Sequence, residues 1–355
     1  MLIYFINLLS ISFIGYGAYI NKKGNLSKEK LAVFTWLQLC FLSAIRYNVG
    51  TDFITYNALF QDIRKAHSFP KALGISPMEW GYTALNRIIG YFTDNFVWVS
   101  AICSVLIITL IIWTCYKYSE HFSLSIYFYL TLGFLYFSYN GIRQAFALSI
   151  VFAALPFLYR REYLKYFLVV LFAALFHISI LIFIPVSFII HIKLNAKNFI
   201  ISSIIIGILY ILLDKLALIA IRFMPKYSIY LNTEFLQPNR NYKSILLYLL
   251  IFLSLYILKN KLLFINPINN ILINFAFVAL AMSIMQTKVD IFSRFVPSFA
   301  IYSILSIPQI IDCFEGNKQK RFALVTVLTI GFLFHFYQLY VGNGGVVPYQ
   351  TVFGF

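Results

Sequence analysis

The chain has 355 residues, of which 61% are hydrophobic and only 11% charged, and its mean hydropathy is +0.83. Soluble domains carry roughly twice that charge fraction, and apolar runs recur along the whole length, so an all-α polytopic integral membrane protein is expected. The net charge of +16 does not call for nucleic acid, because the basic residues lie between apolar runs and not on one polar face.

Leu2 to Ile20 reads as the first span, retained because it lacks a basic leader and a cleavage site. Lys22, Lys23, Lys28 and Lys30 follow it against the single acid Glu29, which places this loop in the cytoplasm and the amino terminus outside. The span Leu31 to Ile45 then delivers Arg46-Tyr47-Asn48-Val49-Gly50-Thr51-Asp52 to the outer face. Between Arg46 and Asn95 nothing is long and apolar enough to cross. Pro70 and Pro77 interrupt that region, and Met78 to Phe92 suits an amphipathic or re-entrant helix. Phe96 to Tyr116 returns inward, Phe122 to Tyr139 goes out, and Gln144 to Tyr159 comes back to a loop holding Arg160, Arg161 and Lys165.

Tyr166 to Ile190 sets a puzzle. As one span it would put Lys193 and Lys197 outside and invert every later basic loop, whereas a broken-helix hairpin turning near His177 keeps them inside. The hairpin is adopted. Phe199 to Leu213, Ile245 to Leu258, Ile268 to Met285, Phe295 to Ile311 and Phe322 to Val341 complete about twelve crossings. They form a single membrane domain, residues 1–355, with outer loops at approximately 46–95, 214–244, 286–294 and 342–355.

On this topology the chemically capable residues converge on the outer side, where mere helix-end anchors would be divided between both faces. Arg46 and Tyr47 suit a headgroup anchor, but Gly50 and Asp52 are not needed for one. Asn140-Gly141-Ile142-Arg143-Gln144 reads either as a tight turn with an anchoring arginine or as a guanidinium and helix start offered to an anion. Arg143 has no acid nearby in the chain, so it is expected as an unpaired cation whose partner is the substrate. His177 lies in an apolar run, where an ionisable side chain normally faces a cavity or partner; proton shuttle, substrate hydrogen-bond donor and structural strut all remain open. Arg294 joins Arg46 and Arg143 as a third permanent cation able to grip a diphosphate. Asp52 and Glu79 are the outer carboxylates suited to general-base work, and each could equally be a counter-ion. Cys40, Cys103, Cys115 and Cys313 show no metal or redox spacing and read as packed thiols. No nucleotide-binding loop, zinc motif, nucleophile elbow or acid-rich cluster for magnesium occurs, so no cofactor is expected.

The motifs Arg46-x-x-x-Gly50-x-Asp52-x-x-x-Tyr56, Glu79-x-Gly81-Tyr82, Ile142-Arg143-Gln144, Phe176-His177-x-Ser179 and Pro348-Tyr349 are each short. Their order along nearly the whole chain resembles the EpsG family of exopolysaccharide polymerases, related in role to the Wzy-type O-antigen polymerases. The resemblance implies a GT-C-like glycosyltransferase of the bacterial inner membrane, joining oligosaccharide repeat units carried on undecaprenyl diphosphate at the outer face. It implies lipid-linked glycans and the bilayer as partners, with a chain-length regulator and a flippase as possible companions. On that footing Arg46, Arg143 and Arg294 are expected to hold diphosphate. Asp52 is the first choice of base, then Glu79, then His177, while Tyr56, Gln144 and Tyr349 are expected to contact substrate. The aromatic-rich stretch Met224 to Tyr242 carries no family landmark and is the expected seat of specificity. A membrane acyltransferase using His177 and a polysaccharide flippase or transporter stand as alternatives.

Overall fold

A computed structural model describes residues 1–20, 27–223, 237–239 and 241–354. Lys22, Lys23, Arg240 and most of the Met224 to Tyr242 stretch lie outside them. The described residues are helical throughout, and their one β-type pairing is an isolated bridge between Arg46 and Thr351. The chain divides into two compact units, Met1–Ile184 with Arg321–Phe355, and Pro185–Lys320.

The first unit begins with α1 (Leu2–Ile20), α2 (Lys28–Ala44), α3 (Phe53–Lys65), α4 (Phe69–Ile75), α5 (Trp80–Gly90) and α6 (Val97–Tyr118). It continues through α7 (Phe122–Thr131), α8 (Phe134–Asn140), α9 (Ile142–Ala153), α10 (Leu155–Tyr159) and α11 (Tyr163–Ala174). α12 (Phe183–Ile189) crosses into the second unit, which holds α13 (Ala196–Phe223), α14 (Tyr242–Ile257), α15 (Lys259–Ile265), α16 (Asn269–Met285), α17 (Phe295–Ala300) and α18 (Ser303–Ser306). α19 (Asn317–Tyr340) runs back into the first unit.

α6 shows how sequence makes a buried span. Val99, Cys103, Ile107 and Ile111 repeat every fourth residue and are buried, while Trp98, Ile102, Leu106 and Trp113 keep their side chains exposed. The buried stripe packs against α2 and α9, and the other stripe is apolar where a soluble helix would be charged. The four cysteines are free and buried.

α7 and α8 meet at 50° because Gly133 takes φ +84°, and a Cβ there would come 2.2 Å from the Gln338 side-chain oxygen. α8 then runs to Asn140, and α9 restarts at Ile142 with Arg143 in its first turn.

Among the described residues four helical runs are long and apolar enough to cross a membrane: Val97–Tyr118, Ala196–Leu216, Asp290–Cys313 and Asn317–Tyr340. Counting the bent pairs α7–α8 and α14–α15 as one span each raises that number to six. About twelve was expected from hydropathy, and the difference has a physical source. Hydropathy runs straight through breaks that end a helix. Gln144 to Tyr159 is α9 followed by α10, which starts afresh with Pro156 in its first turn. Tyr166 to Ile190 is interrupted at 175–177, beside His177, and resumes as a 3-10 turn, Ile178–Ile182, leading into α12. The expected outer loop from Asp214 also starts later, because α13 continues to Phe223.

Within the second unit, α16 is buried on nearly every side, by Ile271, Leu272, Phe275, Ala276, Ala279 and Leu280. Around its N-terminal end Asn274 Nδ2 donates to the carbonyls of Ile190 (3.0 Å) and Ile192 (2.9 Å), and Lys259 Nζ donates to Leu194 O at 2.8 Å. Around its C-terminal end Lys288 pairs with Asp214 at 2.8 Å, and Asp290 N donates to Gln237 O at 3.0 Å. The 190–195 loop thus sits with the lysine-bearing 259–261 connection.

Candidate functional site

Five segments of the first unit converge on one cluster: the loop after α2, the start of α3, the start of α5, the start of α9 and the break after α11. Each arrives for a local reason. Gly50 takes φ +101° with its amide on Gly345 O (3.1 Å), and a Cβ there would crowd Tyr139 O at 3.0 Å. The turn leaves Asp52 at the N-cap of α3, without a side-chain bond to the helix end. Its Oδ1 accepts from the Thr51 hydroxyl at 3.2 Å. One turn on, Tyr56 is buried with its ring edge-on to Tyr82 at 5.9 Å.

Glu79 occupies the N-cap of α5, also without a cap bond, so its carboxylate is free to face other elements. What brings it to α11 is Gly81. The Gly81 amide donates to Leu175 O at 2.7 Å, and a Cβ at position 81 would sit 2.8 Å from that same oxygen. Only glycine lets α5 approach the exposed carbonyl end of α11 so closely. We expect Gly81→Ala to cost about 1–3 kcal/mol and to move Glu79 away from His177. A lower melting temperature of the purified protein would report it, and an unchanged one would show that the contact relaxes freely.

Glu79 then holds the centre. Its Oε2 accepts from Arg143 Nη1, while its Oε1 accepts from His177 Nδ1 at 3.2 Å and from the Ile178 amide at 3.1 Å. Arg143 Nε donates to the Tyr56 hydroxyl at 3.5 Å, with its guanidinium carbon 5.9 Å from the Tyr56 ring centre. A cation in the first turn of a helix opposes the helix dipole, so Arg143 at the start of α9 needs a counter-charge, and Glu79 supplies it. The side chains of Arg143, Glu79 and His177 remain 22%, 18% and 12% exposed, so the cluster is reachable at its edge.

Burial by itself would raise the Glu79 pKa, but the His177 hydrogen bond, the Arg143 and His177 charges and the Ile178 amide together pull it down to about 2. Glu79 is therefore a carboxylate at neutral pH and has no proton to give. The hydrogen between it and His177 belongs to Nδ1, and Nε2 is the ring nitrogen that Glu79 does not engage. The depressed pKa also sets an acid limit. The pairing stabilises the fold fully above the unfolded value near 4.5 and is lost as pH falls towards about 2. A shift of that size is worth up to about 3 kcal/mol. Melting temperature should fall across that window in the parent and less steeply in Glu79→Gln; parallel curves would show that Glu79 is not the group responsible.

Arg46 is 1% exposed, its Nη1 donating to Ser43 O (2.8 Å) and Ser104 Oγ (2.6 Å) and its guanidinium carbon 4.3 Å from the Tyr139 ring centre. Around it the carboxyl-terminal segment is laced down: Tyr47 N donates to Gln350 O (3.0 Å), Val352 N to Ile45 O (2.9 Å) and Tyr349 OH to Leu42 O. Tyr349 thus fastens that segment, and the Arg46 backbone bridges Thr351. Gln144 is 5% exposed, inside α9. Arg294 belongs to the second unit. The expectation of Arg143 as an unpaired cation is overturned by Glu79. What local sequence distance missed was a long-range pair, although a basic residue opening an apolar helix was already a sign that a carboxylate must be found. Asn140 was read only as a turn residue, and the structure gives it four hydrogen bonds, to Thr51, Gly344 and Tyr136. Among the described residues no group of three or more His, Cys, Asp or Glu side chains could hold a metal ion.

The family model described as the EpsG family matches residues 29–351, which takes in every segment of this cluster. The search of curated proteins gives no match, and neither does the search of solved structures.

Proposed function

From the premise that the chain belongs to the EpsG family, we propose that this membrane protein is a polysaccharide polymerase, a glycosyltransferase acting on lipid-diphosphate-linked repeat units. The observation that carries the reading is Glu79 shared between a cation and an imidazole, Arg143 on one oxygen and His177 on the other. Glycosyl transfer from a lipid diphosphate needs both. The anomeric carbon–oxygen bond to the diphosphate breaks, its electron pair leaves with the diphosphate, and a sugar hydroxyl of the next unit takes its place on the carbon.

In this scheme His177 Nε2 accepts the proton of the attacking hydroxyl, Glu79 orients the ring and balances the imidazolium that forms, and Arg143 stabilises the charge growing on the leaving diphosphate. Asp52, beside Tyr56 at the start of α3, is the second choice of base. Glu79, as a carboxylate with a pKa of about 2 and three donors on it, is placed as the orienting group. Arg143 alone carries the diphosphate role within this cluster. We place the site at the outer face of a bacterial inner membrane, in a GT-C-like arrangement of about twelve crossings in which the short apolar helices count as parts of broken spans.

The test is turnover. Purified protein in a bilayer disc, given undecaprenyl-diphosphate-linked repeat units and nothing else, should produce ladders of longer glycans. Ladders should persist in excess chelator, since the proposed chemistry uses only protein groups. Acyl transfer without ladders, once an acyl donor is added, would replace the proposal with the acyltransferase alternative, and ladders that vanish in chelator and return with magnesium would remove the arginine-based account of the leaving group.

A further inference from the structure

Asn140 ends α8, three residues before Arg143, and faces two segments far from it in sequence. Its Oδ1 accepts from the Thr51 amide at 2.6 Å and from the Thr51 hydroxyl at 2.9 Å. Its Nδ2 donates to Gly344 O at 2.8 Å, with a longer contact to Tyr136 O at 3.4 Å. Thr51 is the residue before Asp52, and its hydroxyl also reaches Asp52 Oδ1 at 3.2 Å. One amide therefore joins the Asp52 loop, the turn that sets Arg143, and the carboxyl-terminal segment.

That segment is fastened well beyond Asn140. The Tyr4 hydroxyl donates to Val346 O at 2.7 Å, Gly50 N donates to Gly345 O at 3.1 Å, and the Arg46–Thr351 bridge closes its far end. Gly342, Gly344 and Gly345 all have positive φ. At Gly344 a Cβ would lie 2.6 Å from Asn140 Nδ2, so the close approach exists only because residue 344 is glycine. Such precision is more than is needed to tie down a chain end, because Tyr4 and the Arg46 bridge already do that.

We infer that Asn140 is a positioning residue: through it the carboxyl-terminal segment fixes the Asp52 loop relative to Arg143. The inference rests on the proposed function in taking Arg143 as a site residue; the Asp52 loop opens α3, whose Tyr56 hydroxyl accepts from Arg143 Nε at 3.5 Å. Asn140 touches no reacting atom in this scheme. Its effect is to keep two groups from different segments at a fixed separation, which is the kind of order that chemistry at a bound substrate depends on.

The experiment breaks the same link from its two ends. Asn140→Asp keeps acceptors for both Thr51 donors and loses the donor to Gly344 O. Gly344→Ala forces the segment away and alters no site residue. Each should lower kcat for chain extension by roughly tenfold while KM for the lipid-linked unit stays within about threefold. The double variant should be no slower than the slower single, because the link can be broken only once. Hydrogen exchange supplies a readout independent of turnover: both variants should speed exchange at 342–346, and Asn140→Ala should speed it at 51–52 as well. Multiplying effects in the double variant, a change confined to KM, a loss matched by the loss of folded protein, or unchanged exchange at 342–346 would each overturn the inference. A parent that makes no ladders would sink the polymerase reading, and the exchange pattern would still decide whether Asn140 joins the segments.

Discussion

Replacing His177 by asparagine should slow chain extension on the order of a thousandfold, with the protein still inserted and folded. The ring nitrogen that faces Glu79 can be imitated by an amide, but the Nε2 lone pair cannot, so the variant separates orientation from proton transfer. Glu79→Gln probes the other half. Glu79 receives hydrogens from Arg143 on one oxygen and from His177 and Ile178 on the other. A glutamine has one oxygen and an NH2 group, so it must turn donors against either the guanidinium or the imidazole. Either choice should cost activity, on the order of a hundredfold. A His177→Asn protein as active as the parent would transfer the base role to Asp52.

Arg143→Lys should lose roughly a hundredfold in rate, an amount corresponding to about 3 kcal/mol of transition-state stabilisation. The arginine holds Glu79 through Nη1 and the Tyr56 hydroxyl through Nε, at 3.5 Å, with its guanidinium carbon 5.9 Å from the Tyr56 ring centre. A lysine ammonium can keep the charge opposite Glu79, but it cannot span both partners and still present a planar fork to a diphosphate. The drop should therefore appear in kcat as well as in KM. Arg143→Ala should be worse, since it also leaves Glu79 short of its counter-ion. Arg160→Ala serves as the control: its side chain is 66% exposed and its nearest acid, Glu162, is 3.9 Å away. If Arg143→Lys extends chains at the parental rate, Arg143 serves only to neutralise Glu79 and the diphosphate must be held by other residues.

The tertiary structure also changed which residues belong together. Arg46 and Arg143 are equivalent on a hydropathy plot, each an arginine beside an apolar run. The fold buries Arg46 against Ser43, Ser104 and Tyr139 and leaves Arg143 partly exposed beside Glu79. No local rule separates them, because the serine from α6 and the carboxylate from α5 arrive from other parts of the chain.

The sequence by itself determined the class of molecule, its family landmarks and the break at His177. Those properties depend on apolar periodicity and short spacings, which act over a few residues and need no knowledge of the fold. It also put Asp52, Glu79, Arg143 and His177 forward as the residues to watch. Only the tertiary structure decided that Glu79 joins Arg143 to His177, that Gly81 is glycine because α5 meets the end of α11, and that Asn140 ties Thr51 to Gly344. Each of these is a contact between residues distant in sequence, fixed by how helices pack and by which buried or half-buried polar group needs a partner. It also broke some expected spans and carried α13 past its expected end, because hydropathy measures how greasy a stretch is, while a helix ends where its backbone turns.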